Sequence, residues 1–145
     1  MQLSRRSDYA LRALIFLAAR EEGQIAGLPE IARTAKVSRP FLAKILNTLV
    51  KKGFVRSYRG VRGGFALARP AAEINFLDII EAVDGPMKVN LCVGAGAGCE
   101  MFRTCLLTPA MNHIQAEFRG VLRSKSISDA LGSRLLAGAA GPRQA

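Results

Sequence analysis

Two short amphipathic segments joined by a two-residue turn constrain this chain more than any other feature. Leu28, Ile31, Ala32 and Ala35 share one face of a helix predicted from Leu28 to Lys36. Val37-Ser38 is the turn. Ser38 is placed to cap a third helix running to about Lys52, with Pro40 tolerated in its first turn. Phe41, Leu42, Ile45, Leu46 and Leu49 give that helix a stripe to bury, and Gly53 ends it as a glycine just past a helix terminus does. Two short helices in tight succession, the second basic, form a helix-turn-helix pattern. A hairpin follows: Phe54 to Tyr58 reads as a strand, Arg59-Gly60-Val61-Arg62-Gly63-Gly64 as a turn, and Phe65 to Ala68 as the return strand. Those glycines are not a phosphate loop, because such a loop opens a helix and this one lies between strands. The expected fold class is mainly α: a winged helix-turn-helix with a two-stranded wing, a cysteine-bearing loop and a long dimerisation helix.

The flanking segments complete that architecture. A first helix is predicted from Ser7, as its cap, to about Glu21, with Asp8 in the first turn and Leu11, Leu14, Ile15 and Ala18 facing inward. Pro70 closes the wing. Asn75 is placed to cap a helix over Phe76 to Val83 that stops at Asp84-Gly85-Pro86. A long helix is expected from near Pro109 to about Ser124, with Met111, Ile114, Phe118, Val121 and Leu122 as its apolar stripe. So small a domain has little left to bury that stripe, which marks it for dimerisation. Ser128 is placed to cap a last helix reaching about Leu136. The chain divides into a DNA-binding region (1–70), a linker helix and cluster-binding loop (71–108), a dimerisation helix with a C-terminal helix (109–136) and a flexible tail (137–145).

Charge follows the same division. Residues 1–70 hold 14 Lys/Arg and 4 Asp/Glu, whereas residues 71–145 hold seven of each. The whole positive excess sits on the helix-turn-helix half, which implies a polyanionic partner, double-stranded DNA. On the third helix Ser38, Arg39 and Lys44 lie where base contacts occur, Asn47 shares their face, and Lys51 and Lys52 suit phosphate. Arg59 and Arg62 flank the wing tip, where an arginine can enter a narrow minor groove. No apolar run approaches the roughly 18–20 residues of a membrane span; the best, Ala10 to Ala19, is interrupted by Arg12. The opening residues show no signal-peptide pattern, and a cytoplasmic protein is expected. The chain lacks a paired acid/base set and a nucleotide fingerprint, and its single histidine leaves no nucleophile–His arrangement; it does not read as an enzyme.

The three cysteines, Cys92, Cys99 and Cys105, fall within one 14-residue stretch, separated by six and five residues. The odd count argues against a disulfide framework. Structural zinc favours closely spaced pairs, which are absent; an iron–sulfur cluster suits this set better. Gly94, Gly96 and Gly98 would let the loop wrap a metal. A fourth ligand is open: His113, two turns up the next helix, also reads as a surface residue, and a carboxylate or an exchangeable small molecule is the other choice. A metal-free thiol loop is the alternative to a cluster.

With these features together the chain resembles the IscR/NsrR/RirA-type winged-helix regulators, the Rrf family, over about residues 1–136. The resemblance is carried by Leu3-Ser4-Arg5-Arg6-Ser7-Asp8-Tyr9-Ala10-Leu11-Arg12, by Val37-Ser38-Arg39-Pro40-Phe41-Leu42, by Arg59-Gly60-Val61-Arg62-Gly63-Gly64-Phe65, by Ile80-Glu81-Ala82-Val83-Asp84-Gly85 and by the three cysteines. It implies a homodimer that binds palindromic promoter DNA, with an iron–sulfur cluster held by Cys92, Cys99 and Cys105 tuning affinity; a repressor is expected. In the nitric-oxide-sensing branch an acidic residue near the partner's N-terminus completes the site, and Asp8 stands at that position. The cluster-biogenesis branch has a histidine where this chain has Thr108 and an acidic residue where it has Ala43. The NsrR pattern has five residues between its first two cysteines rather than six. A 4Fe–4S cluster is favoured over 2Fe–2S, with nitric oxide, iron and oxygen status all open as the signal. Reordering of the stretch from Met87 to Leu106 is expected to alter the spacing of the two recognition helices. The rival classes are an electron carrier or redox enzyme, which would not need a basic winged helix, and a cluster-free thiol-switch DNA-binding protein.

Overall fold

The computed structural model describes residues 2–94 and 99–132. Gly96, Gly98, the expected helix end at Leu136 and the expected tail over 137–145 lie outside these residues. The elements run α1 (Arg5–Ala18), α2 (Leu28–Ala35), α3 (Arg39–Lys51), β1 (Val55–Tyr58), β2 (Gly64–Leu67), a 3-10 turn (Ala71–Glu73), α4 (Phe76–Asp84) and α5 (Leu107–Ser124). A further helical turn occupies 127–132. The expected class holds: a mainly helical chain with one two-stranded antiparallel wing.

Packing centres on α1, which contacts α2, α3 and α4. Ala10, Leu14, Ile31, Leu42, Ile45, Leu46, Leu49, Ile79 and Ile127 are sealed in one core. The 3.6-residue spacing of the apolar positions on α1 to α4 directs them to this centre. Phe41 departs from the expected stripe: it is 38% exposed and meets Tyr9 of α1 edge-on, with ring centroids 5.9 Å apart.

Helix ends differ from expectation where capping serines compete. Ser4, not Ser7, caps α1: its Oγ accepts the Ser7 amide at 3.0 Å. Ser7 sits one turn inside, buried, and its hydroxyl donates to Asp84 at the end of α4. Arg5 and Arg6 are good helix formers, so the helix starts at the earlier serine, and it stops at Ala18 rather than near Glu21. At the far end Ser126, not Ser128, opens the last helical turn. Its Oγ accepts the Asp129 amide while Asp129 accepts the Ser126 amide at 2.8 Å, a reciprocal capping box. Asn75 caps α4 as expected, accepting the Asp78 amide. Ser38 occupies the N-cap of α3 without a side-chain cap bond. The long helix begins two residues before Pro109, at Leu107.

The wing pairs Val55 with Leu67 and Tyr58 with Gly64. Ala26 and Phe65 exchange two backbone hydrogen bonds of 2.9 Å, which ties the wing to the loop after α1. That approach dictates Gly64, since a Cβ there would stand 2.3 Å from the Ala26 carbonyl oxygen. At Gly63 it would stand 2.4 Å from the Tyr58 carbonyl oxygen.

Candidate nucleic-acid interface and cysteine stretch

The first candidate surface begins with α3. Its buried stripe, Leu42, Ile45, Leu46 and Leu49, fixes the helix against α1 and turns the opposite face outward. Ser38, Arg39, Lys44, Asn47, Lys51 and Lys52 are all exposed there. Arg59 and Arg62 are exposed on the wing tip, around a turn closed by the Gly63 amide on the Gly60 carbonyl and a left-handed Gly60. The three ion pairs among the described residues are Arg12–Asp8, Arg20–Glu30 and Arg119–Glu81. None neutralises α3 or the wing tip, so that surface keeps its full positive charge for a partner.

Further cations on this side were missed by sequence reasoning. Arg33 and Lys36 join Arg39 around a shallow hollow at the N-terminus of α3, where the helix dipole also favours an anion. Lys36 reaches it because the chain leaves α2 in a left-handed conformation at that residue, with φ 54°. Arg6 on α1 donates to Thr48 Oγ1 on α3 at 3.4 Å. Only the tertiary packing of α1 on α3 brings Arg6 here, and no local signal in the sequence would have found it. The fully exposed Val61 stands between the two wing arginines. Such a surface can neutralise phosphates along a duplex while α3 presents polar side chains to base edges.

The cysteine stretch lies between α4 and α5. Cys92 is buried, while Cys99 and Cys105 are half-buried. Short turns hold each end: the Val93 amide donates to Asn90, the Phe102 amide to Cys99, and the Cys105 amide to Met101 at 2.9 Å. Among the described residues no three His, Cys, Asp or Glu side chains gather into a metal-ligating group. The donor chemistry of three thiols suits iron, but the described placement does not assemble them. Asp8 is engaged by Arg12, whose Nη2 lies at 2.8 Å. His113 is exposed on α5. Thr108 is buried, and its hydroxyl donates to the Phe102 carbonyl within the turn that starts α5.

Sequence reasoning also missed the polar link that holds the approach to this stretch. Arg119 of α5 forks onto both carboxylate oxygens of Glu81 on α4. Burial alone would raise the Glu81 pKa; Arg119 and the Met87 amide together outweigh it and hold the carboxyl below its ordinary value. The apolar stripe of α5 is left largely uncovered. Leu107, Ile114 and Val121 are each about half exposed, at 53%, 49% and 56%, because α4 is the principal packing neighbour of this helix and covers a different side.

No described helix is long and apolar enough to cross a membrane. A family model described as "Iron-dependent Transcriptional regulator" matches residues 3–132. The protein aau3 of Rhizobium meliloti (strain 1021) is 36% identical over 135 residues, covering 92% of this chain and 87% of aau3. Two solved structures share the fold. CymR (YrzC), the global cysteine regulator of B. subtilis, superposes with a TM-score of 0.73 at 26% identity, covering 92% of this chain and 98% of that one. T. potens IscR superposes with a TM-score of 0.75 at 26% identity, covering 100% and 94%. The basic helix-turn-helix, the glycine-built wing and the match over nearly the whole length make this chain a member of the Rrf2 family of transcriptional regulators, a family of regulators rather than enzymes.

Proposed function

We propose that this chain is a cytoplasmic, iron–sulfur-dependent repressor that binds palindromic promoter DNA as a homodimer. The observation that carries the reading is the position of the chain's three thiols, all on the one stretch between the helix-turn-helix half and the uncovered α5. Cys92, Cys99 and Cys105 would hold the cluster, with 4Fe–4S favoured. Asp8 of a second copy would complete the site after giving up Arg12. A bound cluster would supply a centre that nitric oxide, oxygen or iron limitation modifies.

The chain's own residues do the rest. Ser38, Arg39 and Lys44 meet base edges, Lys51 and Lys52 meet phosphate, and Arg59 and Arg62 enter the adjacent minor groove. Helix α5 pairs two copies through the stripe of Leu107, Ile114, Phe118 and Val121. The stretch from Met87 to Leu106 lies between these two functions, so its state sets the spacing of the paired α3 helices. Half-sites lie about 34–36 Å apart, and a modest change of spacing loses much of the affinity.

A second reading is a cluster-free thiol switch. It is favoured by the absence of a converged ligand group among the described residues. One experiment separates the two: purification without oxygen, iron and acid-labile sulfide analysis, then fluorescence anisotropy on DNA before and after cluster removal. Stoichiometric iron and sulfide with a change in affinity supports the cluster. An iron-free dimer that cannot be reconstituted, and whose affinity changes on thiol oxidation, supports the switch. Equal affinity of both forms at every salt concentration sinks both.

A further inference from the structure

The segment between the end of α4 and the turn that carries Cys92 has no regular secondary structure, and side chains supply hydrogen-bond partners for its backbone. The Met87 amide donates to Glu81 Oε1 at 3.0 Å. The Met87 carbonyl accepts from Gln115 Nε2 at 2.6 Å, and the Val89 amide donates to Gln115 Oε1 at 2.9 Å. Gln115 therefore grips the segment on both sides of Lys88, as a neighbouring strand would. Arg119, one turn further along α5, forks onto the same Glu81 that holds Met87. Segment, α4 and α5 close into one polar ring.

We infer that Gln115 is the positioning residue that couples the state of the cysteine stretch to the orientation of α5. This inference rests on the sensing role proposed above. Two physical arguments carry it. First, Gln115 and Thr108 are the two buried residues of α5, and Gln115 is only 8% exposed. A buried amide is tolerated when its hydrogen bonds are made and is penalised when they are not. The segment cannot slide gradually along α5, because an intermediate register would orphan the amide. It is held or it is released, which is the two-state behaviour that transmission requires. Second, the grip is adjacent to the thiols. Cys92 follows Val89 by three residues, across a turn closed by the Val93 amide on Asn90. Cys92 and Val93 are both buried, so reorganising the thiols pulls on a short, anchored tether.

The test compares wild type with Gln115→Leu, which keeps much of the side-chain volume and removes both hydrogen bonds. The probe is the tightest duplex recovered by selection from a randomised palindromic library. Its affinity is measured for the protein purified without oxygen and for the same protein after iron removal and thiol oxidation. Wild type should show a ratio of about tenfold or more between the two forms. Gln115→Leu should remain a folded, DNA-binding dimer whose two forms differ by less than about twofold. A Gln115→Leu protein that keeps the wild-type ratio overturns the inference while leaving the sensing role intact. A wild type with no ratio overturns the sensing role itself. Amide exchange on wild type gives a readout that does not depend on the variant folding. Protection of the Val89 amide should fall when the thiols are altered, and unchanged protection also overturns the inference.

Discussion

Arg59 and Gly64 lie five residues apart in the same hairpin and predict opposite phenotypes. Arg59 is exposed and makes no ion pair among the described residues, which leaves it available for the DNA contact proposed for it. Arg59→Ala should weaken specific DNA binding by at least about tenfold, with an unchanged urea midpoint. Anisotropy titration beside equilibrium unfolding checks both halves. Gly64 faces the Ala26 carbonyl at a distance no Cβ tolerates. Gly64→Ala should cost about 1–3 kcal/mol of stability, the usual penalty for overpacking, and weaken binding only through that loss. The wing was legible in the sequence because two strand-like runs flanked a glycine turn. The contact that demands Gly64 was not, because Ala26 reaches it through tertiary packing. Ser4 and Ser7 show the same limit: both are good caps, and both hydroxyls donate to Asp84, 77 residues away from Ser7, a partner that no local pattern reveals.

At the scale of elements, α2, α3 and the wing were readable because periodicity and turn residues agree there. The contacts of α5 were not. A glutamine and an arginine on an amphipathic helix read as solvent-facing, and only the fold shows Gln115 and Arg119 turned inward onto Met87, Val89 and Glu81. The α4–α5 link carries a pH signature. Glu81 has a folded pKa below its unfolded value, so its contribution is complete above the ordinary carboxylate range and is lost as pH falls through the lowered pKa. Replacing Glu81 by Gln should therefore destabilise the protein by about 1–2 kcal/mol at neutral pH. The gap between variant and wild type should close in strong acid. Urea midpoints measured across pH test this, and a gap independent of pH would show that packing rather than charge holds the junction. The outward stripe of the same helix predicts a separate phenotype. Ile114→Asp should leave a folded monomer in sedimentation velocity, because a charge at a half-exposed position is harmless alone and unfavourable inside an apolar dimer seam.

At the scale of the whole molecule, the asymmetry of charge and the position of the cysteines make one argument. The positive excess is confined to residues 1–70, and the half that carries the thiols and α5 is neutral overall. Altering the cysteine stretch therefore leaves the cations of α3 and the wing tip in each DNA-reading half unchanged. What it can change is how many of those halves engage one duplex at once. This distinction can be measured, because the slope of log affinity against log salt is proportional to the number of phosphates neutralised. If the altered stretch misplaces one α3 helix relative to its half-site, the slope should fall to about half its value along with the affinity. If affinity falls while the slope stays constant, both α3 helices remain docked and the loss lies in base contacts or in DNA deformation. Titrations of both thiol states at several salt concentrations would decide between these outcomes. The half-slope result is the one expected of a dimer whose two readers are spaced by the segment that Gln115 holds.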